Sequence, residues 1–173
     1  PTPEGIEVCR DYHIQMPMQS AFIGWKQEPD DYLERILGHD RLEKLNPIRT
    51  FRDNNIVVSF GSDAPCTNPD PIAWMDRAVN NDNAGQAVSV QDALRMCTYN
   101  GAWAAFDEQE RGSLEAGKIA DMAVLSENPY TVPKDKLSGL RVERLYLSGK
   151  SYESCRESIL PMMLRGLTSR NKA

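Results

Sequence analysis

Apolar positions along this chain follow two rhythms, one helical and one of strands, and the alternation between them predicts the elements. Glu4 to Asp11 reads as a short helix and His13 to Ile23 as an extended stretch. From Asp30 to Leu37 the apolar residues Tyr32, Leu33, Ile36 and Leu37 fall on one helical face. Asn46 before Pro47 predicts an N-cap and a first-turn proline, opening a helix that runs through Arg52. After the Asn54-Asn55 break come Ile56, Val57, Val58, Ser59 and Phe60, a nearly continuous apolar run rich in β-branched residues. Such a run predicts a strand covered on both faces, as in a parallel sheet under helices. It stops abruptly at Gly61-Ser62-Asp63-Ala64-Pro65.

Asp70-Pro71 then caps a helix with Ile72, Met75 and Val79 on one side. Ser89 and Asp92 have the spacing of a capping box, predicting a long helix through Phe106 whose apolar face carries Ala93, Leu94, Cys97, Trp103 and Ala104. Beyond it the pattern changes. Gly112 and Gly117 punctuate a turn region, Met122 to Leu125 and Arg141 to Leu147 read as strands, and Ser148-Gly149-Lys150 as a hairpin turn. Arg156 to Arg165 has amphipathic helical spacing. The order predicts an α/β fold, a slice of an α/β barrel or of a doubly wound sheet followed by a small β unit. Two parallel strands leave edges and faces uncovered, so neighbours from outside the slice are expected.

Composition narrows the classes. The 173 residues are 40% hydrophobic and 26% charged, enough for a packed core and unlike a disordered chain. No apolar run approaches the roughly 18 residues of a bilayer span, so no membrane partner is expected. The opening Pro1-Thr2-Pro3-Glu4 has no basic region followed by an apolar stretch, unlike a secretory signal. The net charge is −5 with the two signs interspersed, which leaves no basic stripe for nucleic acid. Cys9, Cys66, Cys97 and Cys155 are far apart without CxxC spacing, which fits a reducing, cytoplasmic compartment better than a disulfide framework.

The sharpest chemical candidate is Asp63, at the C-terminal end of the buried strand, where β/α barrels carry catalytic groups. A carboxylate there can bind a divalent metal and take a proton from water; the same string is also good turn chemistry. His13 and His39 are the only histidines, and neither belongs to an HxH or HExxH pair, so both read as surface or capping residues. Cys66 has no local base and reads as inert. No nucleophile elbow and no phosphate-cradling glycine loop occurs. Trp74 and Trp103 sit at helical core spacing, whereas Trp25, in Gly24-Trp25-Lys26, is the better candidate for a substrate pocket.

These strings carry a family resemblance. Val58-Ser59-Phe60-Gly61-Ser62-Asp63-Ala64-Pro65 with Asn68-Pro69-Asp70-Pro71 resembles the last barrel strand of the amidohydrolase superfamily, of the family 3 type and in the branch containing N-substituted formamide deformylase. Met16-Pro17-Met18-Gln19-Ser20 is similar to the penultimate strand, Gly112 to Leu125 to the return into the small β-sandwich, and Tyr99-Asn100-Gly101-Ala102-Trp103-Ala104 to the helix that precedes that return. The resemblance implies the last strands and helices of a (β/α)8 TIM barrel over residues 1–110, part of a β-sandwich over 111–155, and a C-terminal helix and tail over 156–173. It implies a divalent metal, zinc by preference, whose activated water attacks an amide-type carbonyl, with Asp63 as both metal ligand and catalytic residue. The remaining ligands, an HxH pair, a Lys or Glu and further histidines, belong to strands earlier in the barrel than those matched here.

Two readings follow. In one the chain is the C-terminal portion of a hydrolase of non-peptide carbon–nitrogen bonds, inactive alone and binding no metal by itself. Its partners are then the N-terminal part of the same protein and a small amide-type substrate, with self-association where that part is missing. In the other it is a non-catalytic scaffold or interaction module derived from the same fold. Lys118 and Asp121, in Gly117-Lys118-Ile119-Ala120-Asp121, read as structural turn residues in either case.

Overall fold

A computed structural model of the chain describes residues 1–23 and 32–152. Thr2 opens the first helix, α1 (Pro3–Asp11), its hydroxyl accepting the Gly5 amide at 3.1 Å with proline in the first turn. Strand β1 (Met16–Met18) follows and pairs in parallel with β2 (Val58–Phe60), in the register Met16 to Val58, Pro17 to Ser59 and Met18 to Phe60. The Met16 amide bonds to the Val57 carbonyl at 2.8 Å and the Gly61 amide to the Met18 carbonyl at 3.0 Å, so the pairing extends past both ends of the ladder.

The extended stretch expected from His13 to Ile23 shrinks to those three strand residues. His13 closes α1 at φ 53°, and Ser20–Phe22 forms a 3₁₀ turn. The turn follows from Ser20, which is buried and satisfies its hydroxyl on the Trp74 carbonyl at 3.0 Å.

Between the paired strands run α2 (Tyr32–Leu37), α3 (His39–Leu42) and α4 (Ile48–Asp53). The cap expected at Asn46 shifts by one residue. Asn46 adopts φ 47°, Pro47 occupies the cap position without a side-chain bond, and the helix starts at Ile48. After β2 come α5 (Pro71–Val79), α6 (Val90–Cys97) and α7 (Tyr99–Ala104). The single long helix expected through Phe106 is therefore two. Thr98 leaves helical geometry at φ −125° and ψ −92°, with its hydroxyl bonded back to the Leu94 carbonyl at 2.8 Å. Gly112, at φ 88°, comes so close to the second piece that a Cβ there would lie 2.6 Å from Cβ of Ala102.

Ile48 and Phe51 from α4, Ile56 and Val58 at β2, Met75, Ala78 and Val79 from α5, and Ala93 and Met96 from α6 form one core. Leu137 and Leu140, in and just after a 3₁₀ turn at Lys134–Gly139, close it from the C-terminal side. The core thus lies between the β1–β2 pair and its helices, which fixes β2 against α4, α6 and α7. Asn100 locks α7 to the strand by donating to the Val58 carbonyl at 2.7 Å.

The remaining strands, β3 (Met122–Leu125), β4 (Val142–Leu147) and β5 (Lys150–Tyr152), form a separate antiparallel sheet in sequential order. Ser148 and Gly149 take φ 50° and 74°, the left-handed pair of a two-residue hairpin, as the Ser-Gly-Lys string predicts. Val124, Val142, Leu147 and Tyr152 on this sheet remain exposed. The helix expected over Arg156 to Arg165 lies outside the described residues.

Candidate functional site

Because β1 and β2 are parallel, both chains leave the sheet at the same end, β1 into Gln19-Ser20 and β2 into Gly61-Ser62-Asp63. This is the end at which parallel α/β sheets gather reacting groups. Asp63 is exposed there, in a left-handed backbone conformation at φ 54°. Aspartate tolerates that region better than most residues.

The loop from Gly61 to Asp70 is laced to itself. Thr67 Oγ1 donates to the Ser62 carbonyl, the Cys66 amide to the Asp63 carbonyl at 2.9 Å, and the Ala64 amide to Ser62 Oγ at 3.1 Å. The Ala64–Pro65 peptide is cis. Trp74 Nε1 reaches back from α5 to the Asn68 carbonyl at 3.3 Å, a structural use of that indole. Asp70 caps α5, its carboxylate accepting the Ile72 and Ala73 amides at 3.0 and 3.4 Å. Two aspartates in one loop thus have different duties: Asp70 is engaged by a helix, whereas the Asp63 carboxylate makes no hydrogen bond or ion pair to another of the described residues.

Trp25 lies outside the described residues. His13 is exposed at the end of α1. His39 is exposed between Glu34 and Glu43, each at 3.4 Å. Among the described residues no group of three or more His, Cys, Asp or Glu could hold a metal ion. The donors described here therefore do not compose the metal centre that the resemblance implies. Cys66 is exposed beside Asp63, while burial pushes the Cys97 thiol up to about 12. Lys118 is nearly enclosed, donating to the Glu108 carbonyl at 2.7 Å and Ser113 Oγ at 2.6 Å. Asp121 bonds Arg111 at 3.0 Å and the Ser148 amide at 2.8 Å. Both bear out the structural reading of that turn.

Sequence reasoning missed two residues near the strand. Asn100 holds β2, and Thr67 holds the loop beyond it. The spacing of Thr67 from Ser62 carries no recognisable periodicity, so only the folded loop reveals the pair. A depression of about 390 Å³ also borders the entry to β2, between Arg52, Asn55 and Val57 on one side and Arg95, Tyr99 and Trp103 on the other. It lies beside the start of the strand, whereas Asp63 follows its end.

A family model described as the amidohydrolase family matches residues 6–152. N-substituted formamide deformylase of Arthrobacter pascens is 33% identical over 152 residues, covering 84% of this chain and 26% of that protein. The crystal structure of an uncharacterized metal-dependent hydrolase from Pyrococcus furiosus superposes with a TM-score of 0.59 at 25% identity, over 69% of this chain and 25% of that one. An adenosine deaminase from Xanthomonas campestris with bound zinc shares the fold at a TM-score of 0.63 and 18% identity, over 98% of this chain and 40% of that one. The chain spans about a quarter of the length of the deformylase it matches.

Proposed function

This chain belongs to the amidohydrolase family, and from that premise we propose that it is the C-terminal portion of a metal-dependent hydrolase of non-peptide carbon–nitrogen bonds. The observation that carries the reading is Asp63, exposed immediately beyond the end of a parallel, core-backed strand. The β1–β2 pair with its helices corresponds to the last part of a (β/α)8 barrel, and the β3–β5 sheet to part of a small β-sandwich. A divalent metal, zinc in this reading, is held in the intact protein mainly by donors from the N-terminal part of the same polypeptide. Asp63 is the one ligand from the described residues.

What this chain contributes to the reaction is a carboxylate that holds and moves a proton. Asp63 accepts a proton from the attacking water and delivers it to the departing nitrogen, which must leave as a neutral amine. The side chain can do this because it is spared the structural duty that engages Asp70. The substrate is a small amide-type molecule, Trp25 is a contact to it, and the setting is the cytoplasm.

The test uses the intact enzyme and an N-acyl substrate. Asp63→Asn keeps the size of the side chain and removes its basic oxygen, so turnover falls by about 100-fold or more, the scale of losing a positioned general base. Asp70→Asn leaves turnover near native, because asparagine caps a helix about as well as aspartate. Near-native turnover in Asp63→Asn makes Asp63 a turn residue and overturns the proton-transfer role proposed for it.

A further inference from the structure

Asp63 is held by two hydrogen bonds that bracket it. The peptide entering Asp63 carries the Ser62 carbonyl, which accepts from Thr67 Oγ1. The peptide leaving it carries the Asp63 carbonyl, which accepts from the Cys66 amide at 2.9 Å. The orientation of the first peptide plane sets φ of Asp63, and that angle is 54°, outside the region most residues prefer. The second bond is backbone to backbone and would survive most substitutions at Cys66. The first depends on one side-chain hydroxyl. We propose that Thr67 is a positioning residue for Asp63, its hydroxyl holding the peptide that enters Asp63 and thereby aiming the carboxylate.

Three features favour this over a loop bond of no consequence. Thr67 is half-buried while the loop residues Asp63 to Cys66 are exposed, so its hydroxyl is better shielded from competing water than its surroundings. The Ser62 side chain is directed to the Ala64 amide at 3.1 Å, which ties the same residue from another side. The next residue, Asn68, is anchored by Trp74 from α5, so Thr67 donates from a base fixed to a helix of the core. A carboxylate that must meet water and a departing nitrogen is sensitive to small errors of aim, since misplacement of reacting groups is expensive in rate.

The inference rests on the reading of Asp63 as the reacting carboxylate, and the experiment separates the two. In the intact enzyme, Thr67→Val removes the hydroxyl at nearly constant shape, and Thr67→Ser keeps it. Thr67→Val lowers kcat about 5- to 10-fold with KM changed less than about 2-fold, the scale of one part-buried hydrogen bond felt in the transition state. Thr67→Ser stays within about 2-fold of native. On an Asp63→Asn background, Thr67→Val causes no further loss, because the group it aims is already disabled. Native kcat in Thr67→Val, an equal loss in Thr67→Ser, or a loss that adds fully to that of Asp63→Asn overturns the inference while leaving the role of Asp63 intact. Full activity in Asp63→Asn overturns both.

Discussion

Cys66 and Cys97 show how far the environment of a single residue departs from what its identity announces. Cys97 packs at the end of α6 with its sulfur 3.7 Å from the Pro71 carbonyl, and burial alone raises its thiol to about 12. At pH 8 the Cys97 thiol is then overwhelmingly protonated, and the thiolate is the nucleophile. Cys66 is exposed in the loop beside Asp63. Iodoacetamide at pH 8 is expected to label Cys66 in the native protein and to spare Cys97 until denaturant is added, as peptide mass mapping would show. Equal labelling of both would mean that the end of α6 opens readily. Lys118 makes the same point in reverse: its charge suggests chemistry, but its ammonium is consumed by Glu108 and Ser113 and lies 5.6 Å from the Tyr99 ring.

At the scale of elements, α6 begins on the network that joins it to α4. Ser89 Oγ accepts the Asp92 amide at 3.1 Å, the Asp92 carboxylate accepts the Ser89 amide at 3.3 Å, and Arg52 Nη1 adds a bond of 2.5 Å from α4. Ser89→Ala is expected to cost about 1 kcal/mol in denaturant unfolding of the intact protein. For the Asp92 carboxyl, burial is the largest influence and pushes it up, but the bonds from Ser89 and Arg52 together outweigh burial and hold it below the ordinary aspartate range. A depressed carboxyl stabilises the fold fully above the range of the unfolded chain and loses that contribution as pH falls through the folded value. The destabilisation caused by Asp92→Asn should therefore be greatest near neutral pH and shrink as the pH drops below the ordinary aspartate range. A pH-independent difference in unfolding midpoint would show that the charge contributes nothing.

Across the whole molecule, the described residues contain one two-stranded parallel pair and one three-stranded antiparallel sheet. Within the described residues each strand of the parallel pair has one edge unpaired, and the small sheet exposes Val124, Val142, Leu147 and Tyr152. Open edges and apolar faces of this kind favour association. The isolated chain is expected to self-associate at micromolar concentration, whereas joining it to the rest of its polypeptide should suppress that association. Analytical ultracentrifugation checks both, and a sharp monomer of the isolated chain with cooperative melting would count against the barrel-slice reading.

How much of this was legible beforehand depended on whether the signal was local. The presence of β2 could be read from the run Ile56 to Phe60, although only Val58–Phe60 forms the strand; the caps at Asp70 and Ser89 could be read from spacings of one to three, and the hairpin from Ser148-Gly149, because each reports a backbone preference settled within a few residues. The family resemblance was legible for a related reason, since ordered strings such as Gly61-Ser62-Asp63-Ala64-Pro65 carry their chemistry in sequence. The split at Thr98, the short β1 and the shifted start of α4 were not legible. Each was decided by a partner distant in the chain or by a backbone angle that pattern does not encode: Gly112 against Ala102, Ser20 on the carbonyl of Trp74, Asn46 turned left-handed. So too with the site. Sequence alone marked Asp63 as a carboxylate at a strand end, whereas its freedom from a cap, its positive φ and its clamp by Thr67 exist only once the loop has closed, because hydrogen bonds across a turn depend on where the chain returns in space.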